Sequence, residues 1–99
     1  MVARTILVIE DEPHIVEVVR DYLEQSGYAV ISARDGQTGL SLARREHPDL
    51  IVLDLMLPGA MDGLDVCRHV RQDPALGETP IVMLTARVEL TDRLVGLEI

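Results

Sequence analysis

The sequence has no phenylalanine, tryptophan or lysine, and only two tyrosines and one cysteine among its 99 residues. So few aromatic side chains provide no surface on which bases or flavins could stack. The single cysteine, Cys67, excludes an internal disulfide and indicates a reducing compartment. No apolar run approaches the roughly 18 residues that cross a bilayer, and the first predicted strand follows Arg4 without the long apolar stretch of a secretion signal. We therefore expect a cytoplasmic protein without membrane contact.

Positive charge is also scarce, since the chain has nine arginines but seventeen acidic residues, and its formal net charge is −8. This balance opposes attraction to nucleic acid or anionic lipid, so any DNA contact must come from outside this segment. The apolar content of 47% is that of a folded domain. We expect one domain over residues 1–99.

Buried strands alternate with amphipathic helices along the chain. Aliphatic runs predict strands at residues 5–9, 28–33, 50–53 and 81–84, the third ending at Asp54. Helical spacing predicts a first helix from Pro13 to just before Gly27, a second over residues 38–46, and a third capped by Asp62 and broken at residues 73–74. The inward stripes are expected at Ile15, Val18, Val19, Tyr22 and Leu23 in the first helix and at Leu64, Cys67 and Val70 in the third. A fourth helix, with Leu90, Leu94 and Leu97 on one side, is expected to run to Ile99.

Four β-α units with short connections predict an α/β fold, in which a doubly wound parallel sheet carries helices on both faces. Ligand sites in such sheets form beyond the carboxyl ends of the strands. At those ends lie Glu10, Asp11 and Glu12 after strand one, Asp54 after strand three, and the pair Thr85-Ala86 after strand four. We expect these side chains to meet at one edge of the sheet.

Clustered carboxylates repel one another unless a cation joins them, and a hard divalent ion such as Mg²⁺ accepts their oxygens. A carboxylate such as Asp54 can also act as a nucleophile and form an aspartyl phosphate. Each residue has a plainer interpretation as well. The acidic trio could serve only to begin a helix, Asp54 could be a turn residue, and Thr85 could be a hydroxyl at a strand end. Their joint occurrence at three strand ends favours a site.

Three motifs resemble response-regulator receiver domains, the CheY-like superfamily. They are ILVIEDE at residues 6–12, LDLMLPG at 53–59 and MLTAR at 83–87. The resemblance implies a flavodoxin-like sheet of order 2-1-3-4-5. Residues 85–87 and 92–98 resemble the OmpR/PhoB-type transcriptional subfamily, so the effector would be a DNA-binding domain outside this chain.

By that resemblance, Asp54 is the phosphoacceptor of a two-component phosphorelay and receives its phosphoryl group from a sensor histidine kinase. The resemblance implies that Mg²⁺, or Mn²⁺, binds Asp11, Asp54 and the Met56 carbonyl directly, and Glu10 through water. Thr85 and Ala86 would contact the phosphate. Such a switch is not an enzyme, although it can phosphorylate itself from small phosphodonors and lose the phosphoryl group again.

Two departures from the family pattern stand out. Ala60 looks like one extra residue in the loop beside Asp54, which we expect the loop to tolerate. Receivers also continue into a fifth strand, which ends in a lysine, and a fifth helix; we find neither here and expect an order of 2-1-3-4. Strand four would then be an open apolar edge, and one sheet face would be uncovered. We expect a homodimer or domain-swapped dimer through that edge or face.

Other classes fit less well. A haloacid-dehalogenase phosphatase needs a second Asp two residues after its nucleophile, where this chain has Met56. Flavin or dinucleotide sites need a phosphate cradle after strand one, where the acidic trio would repel phosphate. A phosphorylation-incompetent receiver that acts only as a dimerisation or interaction module stays open as the alternative.

Overall fold

The computed structural model describes residues 3–84 and the backbone of residues 97–98. In chain order the elements are β1 (Thr5–Ile9), α1 (Pro13–Gln25), β2 (Ala29–Ala33), α2 (Gly36–Glu46), β3 (Leu50–Asp54), α3 (Gly63–Gln72), β4 (Ile81–Leu84) and β5 (Leu97–Glu98). None of the helices among the described residues is both long enough and apolar enough to cross a membrane.

The strands form one sheet in the order β2-β1-β3-β4-β5. The first four are parallel, and the register pairs Ile9 with Ala33 on one side and with Leu53 on the other. Most residues of each of these strands are β-branched or aliphatic, which is typical of parallel sheets. The predicted α/β class and the order 2-1-3-4 are confirmed.

The sequence did not predict β5, a two-residue strand that pairs antiparallel with β4. Our expectation of a helix running to Ile99 is wrong at Leu97 and Glu98, which pair with Met83 and Val82. Our expectation of an open strand-four edge is wrong at the same place. Unpaired strand N–H and C=O groups need partners, and the end of the chain supplies them. The remainder of the predicted fourth helix lies outside the described residues.

Helix α1 begins and ends as its sequence predicts. The Glu12 side chain accepts a hydrogen bond from the His14 N–H at 3.3 Å, and Pro13 occupies the first turn, where no N–H donor is needed. The helix ends at Gln25 with Ser26 as its C-cap, and Gly27 follows with φ 97°, a left-handed conformation that favours glycine. Its predicted inward stripe is wrong in part, because Val18 and Tyr22 are 58% and 72% exposed.

The other helices start at aspartate caps. Asp35 caps α2 by accepting from the Thr38 N–H at 2.8 Å, so this helix begins two residues before the predicted start. Asp62 caps α3, as predicted. The buried face of α3 is made by Gly63, Val66, Cys67 and Val70, whereas Leu64 is 47% exposed. Leu64 follows Gly63 by one residue and therefore points about 100° away from that face.

The two faces of the sheet are covered unequally. Helices α2 and α3 pack on one face and bury a core of thirteen residues, among them Cys67, which is a free thiol as predicted. Helix α1 packs on the other face over a smaller core of five buried residues. Beside α1 runs an open groove of about 740 Å³, floored by Ile6, Leu50, Val52, Val82 and Leu84 and bordered by Val18 and Tyr22. The predicted uncovered sheet face is therefore present among the described residues.

Candidate functional site

Two neighbouring parallel strands, β1 and β3, place the acidic residues at one end of the sheet. Strand β1 ends at Ile9, which is paired with Leu53 of β3, so Glu10 and Asp54 follow at the same level. The Glu10 N–H donates to the Ala33 carbonyl at 3.0 Å and thereby continues the pairing of β1 with β2. The backbone around both carboxylates is consequently fixed by the sheet.

Glu10, Asp11 and Asp54 form a carboxylate cluster, in which one oxygen from each residue lies within 4.8 Å of the others. Glu10 is 2% exposed and Asp54 is 4% exposed, whereas Asp11 is accessible to solvent. The cluster is therefore a mostly buried acidic site with a solvent-facing side at Asp11.

Each buried carboxylate accepts a hydrogen bond from a backbone N–H two residues ahead. Oε2 of Glu10 accepts from the Glu12 N–H at 3.0 Å, and Oδ1 of Asp54 accepts from the Met56 N–H at 3.0 Å. Across residues 3–84, no buried side-chain nitrogen or oxygen lacks a hydrogen-bond partner. These bonds hold both carboxylates in one orientation before any ligand arrives.

Burial raises the pKa of Glu10 to about 7 from its ordinary value of 4.5. The bond from the Glu12 N–H lowers this pKa, but the negative charge of Asp54 and the side-chain hydrogen bonds with Asp54 and Asp11 raise it further. Near neutral pH the Glu10 carboxyl thus holds a proton for much of the time. A bound cation would favour its release, because metal ligands must be deprotonated.

The donor set of the cluster fits a magnesium or manganese ion. All three groups offer carboxylate oxygens, which hard divalent cations prefer, and no thiol or imidazole is among them. The accessible side at Asp11 leaves room for water molecules or phosphate oxygens, which Mg²⁺ usually keeps among its ligands. The cluster could therefore hold such an ion and present the Asp54 carboxylate to a phosphate group beside it.

The structure brings together three of the four acidic residues expected at this edge. Glu12 stays outside the cluster, because its side chain caps α1 instead. For Glu12 the plainer interpretation, a residue that only begins a helix, is thus the right one. The Met56 carbonyl stays a predicted ligand, while its N–H is the group that binds Asp54. Thr85 and Ala86 lie outside the described residues.

The loop between β3 and α3 carries the extra residue at an exposed position. Pro58, Gly59 and Ala60 are exposed, and Gly59 has φ 88°, whereas Leu57 is only 8% exposed and packs into the core. An additional residue between a buried Leu57 and the Asp62 cap lengthens only the exposed part of the loop. The exposed position of Ala60 agrees with our expectation that the loop tolerates one extra residue.

Sequence reasoning missed Gly63 at this site. A Cβ atom at Gly63 would lie 2.3 Å from the carbonyl oxygen of Asp54 and 2.8 Å from Cα of Leu55. The available signal was a glycine at the first helical position, directly after the Asp62 cap. That position tolerates many residues, so the glycine points to a close approach of the backbone.

The chain matches the family described as the response regulator receiver domain over residues 6–99. It is similar to the alkaline phosphatase synthesis transcriptional regulatory protein PhoP of Bacillus subtilis, with 49% identity over 97% of this chain and 39% of that protein. The transcriptional regulatory protein BaeR of Escherichia coli is 48% identical over 95% of this chain and 38% of its own length. The chain thus spans about two fifths of these curated relatives.

Solved structures show the same fold. The N-terminal domain of a response regulator receiver protein from Methanoculleus marisnigri superposes with a TM-score of 0.79 and 41% identity, over 84% of this chain and 67% of that one. A second similar structure is the receiver domain of the sensor histidine kinase PA1611 from Pseudomonas aeruginosa, solved with a magnesium ion in its active site cleft. It gives a TM-score of 0.82 and 33% identity, over 93% of this chain and 75% of that one.

Proposed function

Because the chain belongs to the response regulator receiver domain family, we propose that it is a cytoplasmic phosphorylation switch whose Asp54 accepts a phosphoryl group from a sensor histidine kinase. The observation that carries this proposal is the carboxylate cluster, in which the buried Asp54 lies with Glu10 and the accessible Asp11. In the transfer, an oxygen of Asp54 forms a bond to phosphorus while the bond from phosphorus to the donor breaks, which leaves an aspartyl phosphate.

The residues of the chain prepare Asp54 for this reaction. The Met56 N–H binds Oδ1 of Asp54, so the carboxylate is oriented and its rotation is restricted. Glu10 and Asp11 would hold Mg²⁺ together with Asp54 and the Met56 carbonyl, Glu10 through a water molecule. When bound, the ion supplies positive charge that offsets the negative charge of the phosphoryl oxygens. Thr85 and Ala86 are proposed to contact the phosphate afterwards.

The regulated effector is proposed to lie outside this chain. The curated relatives are transcriptional regulators more than twice as long as the matched segment, in keeping with the expected OmpR/PhoB-type subfamily. The net charge of −8 makes this segment itself unsuited to DNA. Phosphorylation of Asp54 would therefore control a DNA-binding domain.

The test is intact-mass spectrometry after incubation with Mg²⁺ and acetyl phosphate or phosphoramidate. We expect one added phosphoryl group in the wild-type chain and none in Asp54→Asn. Asp21→Asn, which removes an exposed carboxylate on α1, is the matched control and should be modified as the wild type is. Chelation of Mg²⁺ should abolish the modification. An added group that persists in Asp54→Asn would contradict the assignment of the acceptor.

The groove beside α1 favours a second candidate function, an interaction module that self-associates. Its floor of Ile6, Leu50, Val52, Val82 and Leu84 is an apolar surface that association would remove from water. Since β5 pairs with β4, we now favour this face over the strand-four edge for a homodimer or a domain swap.

Light scattering at high micromolar concentration tests this self-association. Tyr22 is 72% exposed on the border of the groove, so Tyr22→Glu should leave the fold intact and weaken a dimer at least tenfold. Gln37→Glu adds the same charge at an exposed position of α2 and should change little. A wild-type monomer at all concentrations would rule the dimer out. A dimer together with no phosphoryl acceptance would make this module the better description of the chain.

A further inference from the structure

The first residue of α3 lies against the backbone that carries the candidate phosphoacceptor. A Cβ atom at Gly63 would lie 2.3 Å from the Asp54 carbonyl oxygen, 2.8 Å from Cα of Leu55 and 3.0 Å from the Leu55 carbonyl oxygen. Cβ atoms essentially never approach heavy atoms of residues that are not their chain neighbours more closely than 3.0 Å. All three neighbours are backbone atoms, so a side chain here cannot be accommodated by a change of rotamer.

The segment behind Asp54 is held from both sides. On one side, the Leu55 N–H donates to the Leu84 carbonyl of β4 at 3.3 Å. On the other side, the Leu55 carbonyl accepts from the Gly63 N–H at 3.2 Å. Leu55 therefore lies between β4 and the start of α3, and its position sets where the Met56 N–H meets the Asp54 carboxylate.

The start of α3 has little freedom to move away. Oδ1 of Asp62 accepts from the Asp65 N–H at 2.9 Å, and Oδ2 of Asp65 accepts from the Asp62 N–H at 3.1 Å, which together form a capping box. Val66 and Val70 of the same helix are fully buried. With the helix fixed in this way, a Cβ at Gly63 would displace the peptide between Asp54 and Leu55.

We propose that Gly63 is a positioning residue, which sets the location of the Asp54 carboxylate by allowing α3 to contact the Asp54–Leu55 backbone directly. The functional consequence rests on the function proposed above, because it concerns the use of Asp54 as metal ligand and acceptor. Metal ligands tolerate errors of only a few tenths of an ångström, and a misplacement of about 1 Å can reduce a reaction rate by about 10²-fold.

The substitution Gly63→Ala tests this inference with a measurement that needs neither metal nor phosphate. Hydrogen exchange of the Leu55 and Met56 amides is followed by NMR in metal-free protein and compared with exchange at Val52, in the middle of β3. We expect exchange at Leu55 and Met56 to accelerate at least tenfold beyond any change at Val52. In the same variant, the affinity for Mn²⁺ should fall by about ten- to a hundredfold, the usual cost of disturbing the groups that orient metal ligands.

Val70→Ala is the matched control, because it removes buried volume from α3 seven residues after Gly63, in the second half of the helix. It should destabilise the protein while exchange at Leu55 changes only in step with Val52. The quantity compared between the two variants is the exchange rate of the Leu55 and Met56 amides relative to that of Val52. If this ratio is no higher in Gly63→Ala than in Val70→Ala, Gly63 has only a packing role and the inference is overturned.

If circular dichroism shows that Gly63→Ala does not fold, Asp62→Ala is compared with Asp35→Ala. Both remove an N-cap, but only Asp62 fixes the start of α3 beside Leu55. Selective acceleration at Leu55 in Asp62→Ala supports the inference, and equal behaviour of the two variants overturns it. Failure of the wild type to bind Mn²⁺ would count against the proposed function alone, because amide exchange decides the positioning role independently.

Discussion

The raised pKa of Glu10 makes the stability of the metal-free protein depend on pH. Burial and the neighbouring Asp54 raise this pKa from 4.5 to about 7 in the folded chain. The folded state therefore binds the Glu10 proton more tightly than the unfolded state does. The contribution of this bound proton to the stability of the fold is fully present below pH 4.5 and is lost as the pH rises through about 7.

Replacing the carboxyl by an amide should remove this dependence. In Glu10→Gln the side chain stays neutral at every pH and keeps a donor for Asp54. Each pKa unit corresponds to about 1.4 kcal/mol, and solvent at the accessible Asp11 side screens part of this, so we expect an effect of about 1–2 kcal/mol. Glu10→Gln should thus differ little from the wild type near pH 5, just above the unfolded pKa of 4.5, and exceed it by about that amount at pH 8.

The assay is urea unfolding with a chelator present, at pH 5 and pH 8, for both proteins. The lowered pKa values of Asp35, Asp65 and Asp73 do not interfere, because these groups are ionised in the folded and unfolded states throughout this range. For a domain of this size, each kcal/mol by which Glu10→Gln is more stable at pH 8 corresponds to a rise of about 4–8 °C in Tm. If the free energy of unfolding changes by the same amount from pH 5 to pH 8 in the wild type and in Glu10→Gln, the reasoning is refuted.

Three further changes follow from packing and hydrogen bonding, each measured by urea unfolding. Ile51→Ala, in the centre of β3 where Ile51 has no exposed surface, should cost about 2–5 kcal/mol. Arg71→Met removes two bonds, at 2.9 and 2.8 Å, from the guanidinium to carbonyls of the turn before β4, and should cost about 1–3 kcal/mol. Gly39→Ala places a Cβ 2.5 Å from Cδ1 of Ile9, and overpacking there should cost about 1–3 kcal/mol.

Each of these expectations has an outcome that contradicts it. An Ile51→Ala protein within about 0.5 kcal/mol of the wild type would mean that the core closes around the lost volume. An unchanged Arg71→Met protein would show that water satisfies the freed carbonyls. A Gly39→Ala protein more stable than the wild type would show that Ile9 moves aside at no cost and that the helix gains from alanine.

The sequence alone determined the framework of this protein, because its signals are local. Four aliphatic runs specify four strands, and Asp35 and Asp62 start helices through bonds to N–H groups only three residues ahead. Parallel strands bring their carboxyl ends to one edge, so the meeting of Glu10, Asp11 and Asp54 was predictable from the alternation of strands and helices.

Where a feature depends on a distant part of the chain, local patterns failed. Glu10 and Glu12 are alike in sequence, yet only Glu10 is at the level where β1 meets β3, and Glu12 turns back to cap its own helix. Leu97 has helical spacing from Leu90, but the edge of β4 offers unpaired backbone groups that it joins as a strand.

The same limit explains the exposed side chains and the missed glycine. Leu64 and Tyr22 are apolar, but whether such a residue is buried depends on which neighbour lies opposite, and none of the described elements covers them. At Gly63 the requirement arises from the backbone of Asp54 and Leu55, which comes within reach only after α3 has packed against the end of β3. Hydrogen bonds within a few residues are encoded locally, whereas burial and close approach exist only once distant segments have come together.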